Sequence, residues 1–188
     1  MRIIGGDCRG IKLSAPLGLN TRPTLDRIRE SLFNILGQYF NGGTVLDLFA
    51  GSGCNGLEFL SRGVDFSYFV DNSSQSYNVI TSNIEKCRLK DKSKVLKMDY
   101  KKALESFLSE TFSYIYMDPP FMKRDYYIDS INLIKENRLL KKDGLLIIER
   151  KTDDTFELPE GFSEIKNKKY GNTSLSIWSF VNESNICG

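Results

Sequence analysis

The chain contains no histidine among its 188 residues. That removes Ser-His-Asp triads, histidine general bases and histidine metal ligands together. Four cysteines, Cys8, Cys54, Cys87 and Cys187, form no C-x-x-C pair, so a structural zinc lacks its ligand set and no metal site is expected. Scattered single thiols suit a reducing compartment. No apolar run approaches the ~20 residues that span a bilayer. The opening "MRIIGGDCRG" also lacks the apolar core of a secretory signal. A soluble, cytoplasmic protein with no membrane contact is the expectation. Repeats and low-complexity linkers are missing too, and the length suits one domain with a proper core.

Charge of either sign is not in excess, with 26 Lys and Arg against 24 Asp and Glu. Its placement is uneven. Residues 1–29 carry six basic side chains against Asp7 and Asp26, and residues 84–102 carry eight against Glu85, Asp91 and Asp99. Two basic zones fit a phosphate backbone laid across one face, although solvated helix ends give the same pattern.

The first twenty residues read as an extended arm or hairpin, "RII" and "IKL" flanking a glycine-rich turn. The remainder, 21–188, reads as one globular unit. "TLDRIRESLFNIL" spaces Leu25, Ile28, Leu32, Ile35 and Leu36 along one helical face, with Thr24 placed as N-cap after Pro23. Strands at 44–50, 66–71, 94–99, 112–117 and 144–149 then alternate with helices at 54–62, 74–89, around 104–107 and 126–138. The helix at 74–89 is expected to bury Tyr77, Ile80, Ile84 and Cys87, and the one at 126–138 to carry Ile128, Ile131 and Ile134. Such alternation predicts a doubly wound α/β fold on a mostly parallel sheet. The tail, "FSEIKNKKYGNTSLSIWSFV", breaks the rhythm. Two strand-like runs meet near Gly171-Asn172 with no room for a crossover helix, so an antiparallel hairpin closes the sheet.

"DLFAGSGCNG" sets Gly51, Gly53 and Gly56 as G-x-G-x-x-G between a strand and a helix. Glycine is needed there for a tight turn and close ligand approach. Asp71 ends the next strand twenty residues on, where a carboxylate can hold two ribose hydroxyls. The fingerprint alone serves NAD or S-adenosylmethionine. Asp47, within the first strand, favours the second: a carboxylate suits an ammonium and a sulfonium better than a pyrophosphate. The closing hairpin agrees, because a dinucleotide fold continues with parallel strands. Asp99 ends the third strand, where it accepts an adenine amino group or simply caps the next helix.

"MDPPF" (117–121) follows an aromatic, β-branched strand without a spacer. Pro119 holds Asp118 extended and Pro120 does the same to Pro119, so the ridge offers a carboxylate and carbonyls but no backbone donors. It can accept both hydrogens of an exocyclic amino group. Such acceptors favour pyramidal nitrogen, and the carboxylate steadies the positive charge that grows during methyl transfer. Phe121 supplies a ring on which an extruded base stacks.

"VLDLFAGSGCNGLE" with "DPPF" resembles the amino-methyltransferases that use S-adenosylmethionine. "MRIIGG…RG", "TRPTLDRIRESLFNIL" and "KKYGNTSLSIW" resemble more narrowly the bacterial 16S rRNA (guanine 966)-N2 methyltransferase family, over nearly the whole chain. The resemblance implies a Rossmann-like methyltransferase fold of seven strands and transfer from S-adenosyl-L-methionine, leaving S-adenosyl-L-homocysteine. It implies that Asp118, Pro119, Pro120 and Phe121 hold a guanine of 16S rRNA, in the small subunit or an assembly intermediate. It implies a donor site of Asp47, Phe49, Gly51, Ser52, Gly53, Asp71 and Asp99, with Arg22, Pro23 and Thr24 near both. A small single domain acting on a large particle suits a monomer. Asp71 departs from the longer glutamate of many relatives, Asn72 stands where a basic residue is frequent, and Cys54-Asn55 replaces smaller residues. Adenine N6 or a protein glutamine as methyl acceptor, a non-catalytic RNA-binding module and a nicotinamide enzyme are the competing readings.

Overall fold

Short apolar runs punctuated by glycine leave the chain little choice but to pair strands and cover both faces with helices. The computed structural model describes residues 1–17, 23–108, 110–120, 124–154 and 157–181, with the side chains of 23–25 excepted. In chain order the elements are α1 (Pro23–Leu36), β1 (Thr44–Leu48), α2 (Cys54–Ser61), β2 (Phe66–Asp71), α3 (Ser74–Cys87) and β3 (Ser93–Lys97). They continue with α4 (Tyr100–Ser106), β4 (Phe112–Met117), α5 (Arg124–Glu136), β5 (Leu140–Lys151), β6 (Phe162–Tyr170) and β7 (Thr173–Phe180). The seven strands lie in the order β3-β2-β1-β4-β5-β7-β6. The first five are parallel, and β7 runs antiparallel between β5 and β6. The strand order reverses between β1 and β4, so a crevice opens there at the C-terminal edge.

Residues alternate between the two faces. Leu46, Leu48, Ile115, Met117, Leu146 and Ile148 pack under α4 and α5, while Val45, Tyr116, Ile147 and Ile177 pack under α1 and α2. Helix α1 begins at Pro23, whose fixed φ and missing N–H suit a first helical position. Thr24 is therefore the second helical residue and not the N-cap. Among the described residues no helix is long and apolar enough to cross a membrane.

The arm is a hairpin. Arg2 bridges Lys12, Ile3 N–H donates to Ile11 O, and Gly10 N–H donates to Ile3 O. Its Ile3, Cys8 and Leu13 complete an apolar cluster with Leu57, Phe69, Ile80 and Ile84. Two buried side chains fasten it. The Glu58 carboxylate accepts from Ile4 and Gly5 N–H, both at 2.8 Å. Asn83 accepts from Ser14 N–H at 2.8 Å and donates to Ser14 O and Ser52 O. The buried face of α3 is Ser76, Ile80, Asn83, Ile84 and Cys87, and Tyr77, expected inside, lies off it at 37% exposure. On α5, Tyr127 takes the buried place and Ile128 faces outward.

Candidate functional site

Extension ends abruptly after β1. Phe49 already has φ 66°, a left-handed conformation that a non-glycine residue adopts only under local constraint. The glycine loop follows, tied to the sheet by two aspartates. The Asp71 carboxylate accepts from Gly51 N–H at 2.9 Å and, through its other oxygen, from Ser73 N–H at 2.9 Å. The Asp47 carboxylate accepts from Gly56 N–H at 2.9 Å. Gly53, at φ 74°, starts α2 where a side chain would be strained and would press on Ile80 and Phe69. At Gly56 a Cβ would lie 2.4 Å from the Phe69 ring, so close helix–strand packing requires its absence.

A cavity of about 460 Å³ opens at the switch point. Gly51, Ser52, Asp71 and Asn72 line one end, and Asp118, Pro119, Pro120 and Glu149 line the other. Phe49, Tyr100 and Tyr126 form an aromatic wall, with Phe49 stacked on Tyr126 at 5.9 Å and Tyr100 4.6 Å from Tyr126. The parallel pairing of β1 with β4 is what brings Asp118 beside the glycine loop.

Phe49, Gly51, Ser52, Asp71, Asp118, Pro119 and Pro120 thus share one cavity. Asp47 and Gly53 are not among its lining residues and instead shape the loop from beneath. Asp99 does not line it either: its carboxylate accepts from Lys101 N–H at 2.9 Å and caps α4. Arg22 and Phe121 lie outside the described residues, as does the side chain of Thr24.

Arg29, Tyr116 and Glu149 also line the cavity, with no motif to announce them. Arg29 belongs to the first basic zone by sequence, yet it is 3% exposed, donates to Arg2 O at 2.7 Å and to Asp26 at 2.8 Å, and adds nothing to the surface charge. Glu149 is 5% exposed and accepts from the Tyr116 hydroxyl at 2.5 Å. Burial raises its pKa, against the pull of the Tyr116 hydrogen bond and Arg29. Asp118 is pushed well above the ordinary carboxylate range, first by burial and then by the charges of Glu149 and Asp47. No described residue donates a hydrogen bond to it.

Burial, with a smaller contribution from Asp71 and against the Gly56 hydrogen bond, raises Asp47 to about 7. A carboxyl near 3.8 unfolded and about 7 folded holds its proton longer in the native state. Stability therefore falls as pH rises between those values. The full effect is on the order of 4 kcal/mol. Asp47→Asn keeps an oxygen for Gly56 N–H and removes the titration. In urea unfolding, the wild type should lose about 3 kcal/mol between pH 5 and pH 8 relative to this variant. Parallel pH curves would rule the burial argument out.

The family model described as "Conserved hypothetical protein 95" matches residues 1–179. The chain belongs to this family. It is 38% identical over 183 residues to "Putative rRNA methyltransferase YlbH" of Bacillus subtilis, covering 95% of this chain and 98% of that one. It is 33% identical to "Ribosomal RNA small subunit methyltransferase D" of Haemophilus influenzae, covering 95% and 93% respectively. Among solved structures, "Putative methyltransferase yhhF" from Escherichia coli superposes with a TM-score of 0.81 at 31% identity, over 96% of this chain and 97% of that one. The fold is accordingly the Rossmann-like one that methyltransferases use, closed by the antiparallel hairpin of β6 and β7. It runs through this Conserved hypothetical protein 95 member from arm to hairpin.

Proposed function

We propose that this protein transfers a methyl group from S-adenosylmethionine to the N2 amino group of a guanine in 16S rRNA, within the small subunit or an assembly intermediate. One observation carries the reading: the glycine loop and the Asp118-Pro119-Pro120 ridge face the same cavity. The relatives' names, which specify rRNA and its small subunit, support the same class of substrate.

The residues present fit the donor. Asp71 fixes the loop with one lone pair on each oxygen and keeps others for ribose hydroxyls. Val70 and Met98 offer apolar surface to a purine. When bound, the donor supplies a methyl group made electrophilic by its sulfonium. At the other end, Asp118 and the Pro119 carbonyl accept the two amino hydrogens and orient the nitrogen lone pair toward that methyl group. As the N–C bond forms and the methyl–sulfur bond breaks, releasing the neutral thioether, Asp118 would stabilise the charge on nitrogen and take the proton it sheds. A carboxyl with a raised pKa is suited to that last task, and no histidine is required.

Phosphate contacts fall to the exposed parts of the two basic zones. Lys86 donates to the Ser14 hydroxyl at 2.7 Å, so the arm and the end of α3 form one surface. Arg2, Arg9, Lys12, Lys86, Arg88, Lys90 and Lys92 are all exposed there.

The assay is incubation with labelled S-adenosylmethionine and small subunits, or naked 16S rRNA, from cells lacking the enzyme. Label in rRNA is expected. Label on a ribosomal protein, or NADH binding in place of donor binding by calorimetry, would contradict the reading.

A further inference from the structure

Asp118 and Pro119 accept any exocyclic amino group, so they do not choose the base. The neighbouring ring atom does. Beside its amino group guanine carries N1–H, a donor, whereas adenine and cytosine present a ring-nitrogen lone pair. A pocket that reads this edge for guanine needs an acceptor next to Asp118.

We propose that Glu149 is that acceptor and selects guanine by taking the N1–H hydrogen bond. The inference rests on the guanine-methylating reading above and gives it a specificity determinant. Strands β4 and β5 are parallel, with Met117 opposite Ile148, so the next pair along the same edge is Asp118 and Glu149. Both line the same cavity. Glu149 is held in place, because Oε2 accepts from the buried Tyr116 hydroxyl. Oε1 has no partner among the described residues. A guanine whose amino group sits on Asp118 therefore meets a second carboxylate oxygen at N1. An adenine or cytosine in the same pose sets lone pair against lone pair and leaves buried acceptors unsatisfied. Discrimination is strong in sites of that kind.

The test uses small subunits reconstituted with 16S rRNA ligated around a synthetic segment bearing guanine or 2-aminopurine at the target. 2-Aminopurine keeps the 2-amino group but replaces N1–H by a lone pair. The wild type should prefer guanine by a factor of about 10–100 in kcat/KM, the range of a charge-assisted hydrogen bond. Glu149→Gln, whose amide can turn an N–H toward that lone pair, should shrink the preference at least tenfold. 2-Aminopurine also lacks the guanine O6, but that loss is common to both enzymes and cancels in the comparison.

A merely structural Glu149 would lower both substrates equally in the variant, and that result overturns the proposal. So does a wild type that uses both bases within threefold, which requires no variant. Donor binding by calorimetry confirms the fold of Glu149→Gln. If it is lost, Glu149→Asp, which withdraws the oxygen by one methylene, carries the same comparison. No transfer to guanine by the wild type would instead sink the underlying reading.

Discussion

Asp118→Ala should lower the single-turnover rate of methyl transfer by about 10³-fold while leaving donor affinity within about threefold. The magnitude is that of removing one preorganised group aimed at developing charge. The structure argues for the separation of the two effects. Asp118 makes no hydrogen bond to any described residue, so its loss disturbs no scaffold, and the glycine-loop end of the cavity is built by other residues, Gly51, Ser52 and Asp71. Asp118→Asn retains one acceptor and should fall between the two. It should also flatten the acid side of the kcat/KM profile. In the wild type that side lies well above the ordinary carboxylate range, because Asp118 is buried beside Glu149 and Asp47. A full rate in Asp118→Ala, measured with labelled donor in excess enzyme, would remove the ridge from the chemistry.

Glu58→Ala should cost about 3–5 kcal/mol of stability, the usual penalty for stripping one partner from a buried ionic group. In a chain of this length that is roughly a 10 °C drop in Tm. Glu58 is fully buried and accepts from Ile4 N–H, Gly5 N–H and Arg62 Nε, each at 2.8 Å, with Arg29 Nε 3.6 Å away. Truncation leaves two buried guanidiniums and two backbone donors without this acceptor. The arm should loosen first, so amide exchange at Ile4 and Gly5 should rise far more than in β1 or β4. Donor affinity should weaken as well, because Met1 lines the cavity and its sulfur accepts from the Ser52 hydroxyl at 3.6 Å. A loss below 1 kcal/mol in urea unfolding would show that the arm is held mainly by its apolar contacts.

The parts of the site that were legible in sequence are those whose chemistry is local. Gly51 to Gly56 and Asp118 to Pro120 each encode their backbone geometry within a few residues, and strand–helix alternation encodes the sheet. Glu149 was not legible, since a carboxylate after "GLLII" reads as a strand end. It becomes a cavity residue only because β5 lies beside β4 in register. Arg29 shows the converse error: counted as surface charge, it is buried beside carboxylates that are distant in sequence. Asp99 illustrates local competition, in which the backbone N–H of Lys101 claims a carboxylate that a ligand was expected to use. On α3 the buried face is set by Ser76, Ile80, Asn83, Ile84 and Cys87, so the polar Ser76 takes the inward place in the first turn and the aromatic Tyr77 beside it faces out, which a count of apolar residues alone misreads.

Nucleoside mapping of the product decides between guanine N2 and every other methyl acceptor. Small subunits lacking the modification are treated with the enzyme and S-adenosylmethionine, and the 16S rRNA is digested and read by mass spectrometry. A single new N2-methylguanosine is expected, lost with Asp118→Ala. Methyl on adenine N6, on cytosine, or on no nucleotide at all would contradict it.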